Sequence, residues 1–211
     1  MDKNVVKIII LFIFAFGAIS LMLTQVITME RYLLNIAFLL IVALIIVFYF
    51  KKEISDVIEK TKKQDLILIM ISLIIHAVTS YFILRFLNQP TWPFSNHGAS
   101  FLLMNNFYIW TKPFDILVQQ LLIIVLVKKL SEQRMNLKQI TLIFILGFGA
   151  IHIFQIFKTD IIIGLAFTAG ALLSSVLYPY MILKVKNGYI YNYMIHLAIY
   201  NIAAILTWTL Y

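Results

Sequence analysis

Runs of about twenty apolar residues, separated by short polar or charged stretches, dominate the pattern of this 211-residue chain. A helix of that length crosses the roughly 30 Å hydrocarbon core of a bilayer, since each residue adds about 1.5 Å. The pattern therefore predicts an all-α, polytopic transmembrane helical bundle with seven spans. Their expected ranges are 5–27, 31–50, 65–88, 113–130, 139–157, 160–183 and 188–211.

The composition agrees with this pattern. The chain is 63% hydrophobic and only 12% charged, whereas soluble domains are about half apolar and about a quarter charged. We therefore expect residues 1–211 to form a single integral-membrane domain. The first apolar run is too long for the core of a signal peptide, so it is predicted to be a span. The absence of cysteine excludes a thiol nucleophile, a disulfide and a thiolate metal site.

The basic residues fall unevenly between the predicted spans. Thirteen lysines and arginines lie on one side and four on the other. The side rich in basic residues is normally cytoplasmic, which predicts a multi-pass protein with a cytoplasmic amino terminus and an outer carboxyl terminus. Because the net charge of +8 comes from these connections, we expect membrane lipid as a partner and no nucleic acid. The segment 51–65 is interpreted as such an anchor, with a patch for anionic lipid headgroups as the alternative.

Several strongly polar residues interrupt the apolar spans. Gln119 and Gln120 are adjacent in the fourth span, His152 lies in the fifth, and His196 and Asn201 lie in the last. Such groups are costly at membrane depth and indicate function by default. All fall near the middle of the bilayer by their position along each span, so contact among them is geometrically allowed.

The order of these residues resembles a known family. Phe148–His152 matches an FxxxH motif, and His196 is followed by Asn201 about a turn later. The pattern is similar to the CPBP, or Abi, family of glutamic intramembrane proteases, which includes the type II CAAX endopeptidases and bacteriocin-processing relatives. The resemblance covers 113–211, the expected CPBP-like core. It departs from the family in its first motif, EExxxR. Gln119 and Gln120 replace the two glutamates, and Ile124 replaces the arginine.

The resemblance implies a mechanism that these residues can only partly support. In the family one glutamate activates a water, and the histidines and the asparagine stabilise the oxyanion. A glutamine amide cannot accept a proton. The expected catalytic set is Gln119, Gln120, His152, His196 and Asn201. We interpret it as a vestigial site in a catalytically impaired protein that binds a peptide, a lipidated peptide or a membrane partner.

Two alternatives stay open. Asp115 shares a helix face with Gln119 and could act as the base, which would make the chain an active intramembrane endopeptidase of the CAAX-processing or bacteriocin-processing type. A small membrane transporter is weaker, because no span shows a row of polar residues. The glutamates are predicted in loops or at boundaries and cannot replace the missing pair; they are Glu30, Glu53, Glu59 and Glu132.

The four histidines of the chain predict neither a cofactor site nor a metal site. His152 and His196 would need a third ligand, normally a histidine or a carboxylate. His76 in the third span is interpreted as a lone histidine satisfied by its neighbours, and His97 is expected in the outer loop 88–112. That loop is interpreted as an aromatic interfacial anchor, with a cover over a substrate entry path as the alternative.

Overall fold

The computed structural model describes residues 3–25, 32–58, 62–88, 106–150, 152–158 and 161–210, and within these ranges the regular structure is entirely helical. The predictions for Glu30, Glu59 and His97 lie outside these residues. The described α-helices are α1 (Lys3–Gln25), α2 (Tyr32–Tyr49), α3 (Lys51–Ile58), α4 (Lys63–Phe86), α5 (Asn106–Glu132), α6 (Leu137–Phe144), α7 (Gln155–Lys158), α8 (Ile161–Lys184) and α9 (Gly188–Leu210). Between α6 and α7 lie a π-helical turn, Ile145–Gly149, and a 3₁₀ turn, His152–Phe154.

Four helical segments among the described residues are long and apolar enough to cross a membrane. They are Lys63–Phe86, Leu137–Phe154, Ile161–Lys184 and Gly188–Leu210. The helices α2 and α3 meet at an angle of 94° and provide a fifth if they are counted as one broken span. Large aromatic side chains such as Phe14 and Phe48 are more than three-quarters exposed, as expected for contact with lipid. The all-helical fold is therefore confirmed within the described residues, and four to five of its helical segments are long and apolar enough to span a membrane, against the seven predicted.

Helix α5 lies at the centre of the bundle. The consecutive residues Ile123, Ile124 and Val125 are each at most 2% exposed, and three successive buried positions cover most of a helix circumference. The helices α1, α2, α3, α8 and α9 all contact α5. The central helix therefore carries the predicted glutamine pair into the interior of the protein.

Helix α5 also begins earlier than the sequence predicts. The expected span starts at Pro113, in the first helical turn, but α5 begins at Asn106 and contains Pro113 in its interior. Proline normally interrupts a helix because it has no N–H to donate to the carbonyl four residues earlier. Here that carbonyl, of Ile109, accepts a hydrogen bond from His76 on α4, so the helix continues.

The segment after α2 forms a short helix that packs against the end of α5. Glu53 and Ile54 of α3 are buried, and Glu53 forms a salt bridge with Lys129. A second salt bridge joins Asp56 to Lys128 over 3.2 Å. These acidic residues of the 51–65 segment thus bind α5, while Lys51 and Lys52 remain exposed.

A polar contact also fixes the turn between α8 and α9. Asp65 lies in the first turn of α4 and accepts hydrogen bonds from Lys62 N at 2.7 Å and from Asn187 Nδ2 at 2.6 Å. Asn187 has a φ of 56°. The next residue must be glycine, because a Cβ on Gly188 would lie 1.9 Å from the carbonyl oxygen of Met181.

Candidate functional site

The clearest contact among the predicted site residues joins α5 to α9. Gln120 Nε2 lies 2.9 Å from His196 Nδ1, and both side chains are almost fully buried. The His196 ring lies between two tyrosine rings, with centroids 5.6 Å from Tyr178 and 5.4 Å from Tyr200. The imidazole is therefore held in one orientation by a hydrogen bond and by rings on two helices.

His152 sits where the fifth predicted span is interrupted. The α-helix ends at Phe144 and changes to the π-helical turn, so His152 is not part of a continuous helix as predicted. Its Nδ1 lies 2.7 Å from the carbonyl oxygen of Phe148, the first residue of the FxxxH motif. The two rings pack with centroids 4.9 Å apart. Isolated π-helical turns often occur at functional sites.

Hydroxyl groups on α8 stabilise this interrupted segment. Thr168 Oγ1 shares its hydrogen between the carbonyls of Gly164 at 2.8 Å and His152 at 2.9 Å, and Ser175 Oγ shares its hydrogen between those of Ala171 at 2.7 Å and Phe144 at 3.2 Å. Thr168 and Ser175 are seven residues apart, or two helical turns, so they share one face of α8. The broken backbone that presents His152 is thus attached to a regular helix.

His152 and His196 line the same small cavity. Its walls also include Ser174, Tyr200, Phe148, Phe167, Gly170, Ala171 and Ile199. The cavity volume is about 20 Å³, which is enough for a single water molecule. The structure therefore places His152 and His196 at one space that accepts a small polar group, and Gln120 contacts this site through His196.

Asp115 belongs to a neighbouring network. Its carboxylate accepts hydrogen bonds from Lys112 Nζ and from Gln119 Nε2, each over 2.9 Å. Lys112 and Asp115 are each 9% exposed, and the ammonium lies 3.9 Å from the centre of the Tyr200 ring. Asp115 and Gln119 are not among the residues that line the cavity. Lys112 and Asp115 form a buried ion pair, and Gln119 donates a hydrogen bond to Asp115. Asp115 lies about one helical turn before Gln120 in α5.

Asn201 is directed away from the predicted site. Its Oδ1 lies 2.7 Å from Nδ1 of His76, whose Nε2 lies 3.2 Å from the carbonyl oxygen of Ile109. The two contacts confirm the prediction that His76 is satisfied by its neighbours. Asn201, which the sequence predicts beside His196, instead pairs with His76 and lies outside the cavity lining. The spacing of five residues explains this outcome, because it turns Asn201 about 140° around α9 from His196.

Sequence reasoning missed three residues that complete the site. Tyr178 and Tyr200 enclose His196, and Lys112 balances the charge of Asp115. Helical spacing carries a signal for two of them, because Tyr200 is four residues after His196 and Lys112 is three residues before Asp115. Tyr178 lies on a different helix, and no local pattern links it to His196.

Within the described residues no group of three or more histidine, aspartate or glutamate side chains could hold a metal ion. Comparison with known proteins finds no match: no family model fits the chain, and no curated protein and no solved structure shows significant similarity to it. The resemblance to the CPBP family therefore stays a prediction that rests on the motif residues.

Proposed function

We propose that this chain is a seven-span integral membrane protein whose centre is a vestigial CPBP-type peptidase site. In this proposal it binds a peptide or a lipidated peptide and does not hydrolyse it. The observation that carries the proposal is the hydrogen bond between Gln120 and His196 beside a cavity that His152 also lines. Gln120 belongs to the altered first motif, His152 to the FxxxH motif and His196 to the last motif. The contact and the shared cavity thus link residues from all three motif positions.

The same contacts support the loss of catalysis. Gln120, which stands in the position of a catalytic glutamate, is an amide and cannot take a proton from water. Asp115 accepts hydrogen bonds from Lys112 and Gln119 and lies outside the cavity lining, so it is poorly placed to replace that glutamate. Asn201, which would help to stabilise an oxyanion, is engaged by His76.

The proposed topology follows from the charge distribution and from the positions of the helices. The amino terminus is cytoplasmic and the carboxyl terminus lies at the outer face. On the cytoplasmic side, Lys128 and Lys129 at the end of α5 bind the acidic residues of α3. In this arrangement α3 lies at the membrane surface, consistent with the 94° bend after α2.

The test is a cleavage and binding assay with the purified protein and a panel of lipidated and leader-type peptides. We expect binding without turnover. A general base typically contributes about 10²–10⁴ in rate, so any residual cleavage should be slow. Gln120→Glu combined with Gln119→Glu would restore carboxylates, but with Ile124 in place of the arginine we expect little recovery.

Rapid turnover by the unmodified chain, abolished by His152→Ala, would overturn this proposal. If Asp115→Asn abolished that turnover as well, Asp115 would be the base and the chain would be an active endopeptidase. A second candidate function, a small transporter, is favoured by the buried Lys112–Asp115 pair, since ionisable groups inside bundles often mark ion pathways. Proton flux into proteoliposomes that is lost in Asp115→Asn would favour it.

A further inference from the structure

The two cavity histidines are fixed in opposite tautomers by their partners. A backbone carbonyl can only accept a hydrogen bond, so the contact with Phe148 O places the proton of neutral His152 on Nδ1 and leaves Nε2 as an acceptor. An amide nitrogen can only donate, so the contact with Gln120 Nε2 makes His196 Nδ1 the acceptor and places its proton on Nε2.

Because Nδ1 of each ring is engaged, the nitrogen that each histidine has left for the cavity is Nε2, an acceptor on His152 and a donor on His196. His152 contributes an unprotonated nitrogen, and His196 contributes an N–H group. An anion would be repelled by the lone pair of His152, and a carbonyl or an ether would leave that lone pair without a donor. A hydroxyl group donates one hydrogen bond and accepts another, so it satisfies both histidines at once.

We infer that the cavity is a binding site for a single hydroxyl group, held by acceptance at His152 Nε2 and donation from His196 Nε2–H. The volume of about 20 Å³ admits the oxygen and little more. Water and an alcohol share this chemistry. The inference deepens the proposed function, because it names the group of a bound molecule that the site accepts, and it rests on the same pair of histidines.

An alcohol could reach the site from the apolar side of the bundle. Phe148, His152, Gly170 and Ile199 are partly exposed at the cavity wall, and the neighbouring Leu173 and Val176 of α8 are exposed where lipid would lie. A hydroxyl group carried on an alkyl chain would thus leave its chain among apolar side chains and bury only its head.

Gln120 controls this specificity. An ionised glutamate at the same place could only accept, so neutral His196 would carry its proton on Nδ1 and present a lone pair to the cavity. Both histidines would then be acceptors, and the hydroxyl group would lose its donor. The replacement of glutamate by glutamine therefore changes which ligand the two histidines accept, in addition to removing a base.

The experiment is ¹⁵N NMR of the protein labelled at histidine, in nanodiscs at a pH where the rings are neutral, with His152→Gln and His196→Gln to assign the signals. We expect His152 protonated at Nδ1 and His196 at Nε2. Gln120→Glu should move the His196 proton to Nδ1. If that variant does not fold, Gln120→Met, which removes the donor without adding charge, should abolish the preference for Nε2. The same tautomer for both histidines in the unmodified protein would overturn the inference.

Two further arms identify the source of the hydroxyl group. 1-Decanol should shift both cavity signals, whereas decyl methyl ether, which has no donor, should not. Magnetisation transfer from water to the His196 Nε2–H without an effect of decanol would identify water as the occupant. If neither the decanol shift nor the magnetisation transfer is seen, or if 1-decanol and decyl methyl ether have equal effects, the site is excluded. These readouts do not depend on peptide cleavage, so they stand or fall separately from the proposed loss of catalysis.

Discussion

His76 Nε2 lies 3.2 Å from the carbonyl oxygen of Ile109, across the interface between α4 and α5, and donates a hydrogen bond to it when Nε2 carries the ring proton. Ile109 needs this donor because Pro113, four residues later in the same helix, has no N–H. The other ring nitrogen of His76 contacts Asn201 of α9 at 2.7 Å. One histidine thus satisfies a defect in the central helix and connects that helix to two others.

This relationship predicts a coupling between His76 and Pro113. His76→Ala should destabilise the protein by about 1–3 kcal/mol, because it leaves buried polar groups without partners. In a Pro113→Ala background the new N–H can pair with Ile109, and the cost of His76→Ala should fall by about 0.6–1 kcal/mol. Unfolding in mixed micelles gives the four free energies of this double-mutant cycle.

Pro179→Ala in α8 is the matched control, because it also restores a backbone N–H, whereas the hydrogen-bond contacts of His76 are with α5 and α9. It should show no coupling. If His76→Ala lowers the free energy of unfolding equally with and without Pro113, the Ile109 contact contributes nothing to stability.

The topology can be tested with fusion reporters. Reporters placed after Lys63 and after the carboxyl terminus should lie on opposite sides of the membrane, the first in the cytoplasm, as the basic asymmetry indicates. Reporters on the same side would show that the number of spans between these points is even and that the seven-span arrangement is wrong.

The contact between α3 and α5 predicts that the protein becomes less stable at acidic pH. Burial by itself would raise the pKa of Glu53, but the hydrogen bond from Lys129, a backbone hydrogen bond and the positive charges of Lys129 and Lys52 together outweigh it and hold the pKa below its ordinary value of 4.5. A lowered folded-state pKa contributes stability that is present above about pH 4.5 and lost as the pH falls through the folded-state value. The melting temperature should therefore decline at acidic pH, and Glu53→Gln should reduce the decline.

Asp56→Asn is the control for this experiment. Asp56 also faces a lysine, but its side chain is 47% exposed, and exposed ion pairs contribute little. It should leave the acid dependence almost unchanged. A larger effect for Asp56→Asn than for Glu53→Gln would contradict the assignment of the sensitivity to the buried contact.

The packing of α8 against α9 predicts that a larger side chain at Gly170 destabilises the protein. A Cβ on Gly170 would lie 3.2 Å from Ile199 Cγ2, so the absence of a side chain at Gly170 lets α9 approach α8 closely. Gly170→Val should destabilise the protein by about 1–3 kcal/mol through overpacking, and Ile199→Ala should restore part of the loss. Gly147→Ala should be tolerated, since nothing lies within 4 Å of its added Cβ. Thermal unfolding of the four variants in detergent compares them.

The sequence predicts the apolar helices well, because the length of an apolar run is a strong and local signal. It also identifies Gln120, His152 and His196, since polar residues stand out in such runs. It fails at positions decided by contacts between helices. The helix boundary before Pro113 depends on a histidine in another helix, and the break after Phe144 depends on hydroxyl groups of α8. Neither can be read from the local sequence.

The position of Asn201 shows the same limit. A motif match tolerates a spacing of five in place of four, but the helix rotates by about 100° for each residue. One extra residue therefore moved the amide from the cavity to His76. Lys112 shows the opposite case, a residue that lies in the interior although the sequence does not predict it there. A lysine near a span boundary is normally assigned to the surface.

The enclosure of α5 has a consequence for how the protein is made. In the proposed topology this helix carries Lys112, Asp115, Gln119 and Gln120, and charged residues at the centre of a lone helix cost about 2.5–3.5 kcal/mol each during insertion. Lys112, Asp115 and Gln119 bond to one another within α5, but His196, the partner of Gln120 on α9, is synthesised 76 residues later. The nascent α5 must therefore stay beside the insertion machinery or an assembly factor until α9 arrives. Biogenesis of this protein should be more sensitive than its finished fold to the speed at which the last third of the chain is translated.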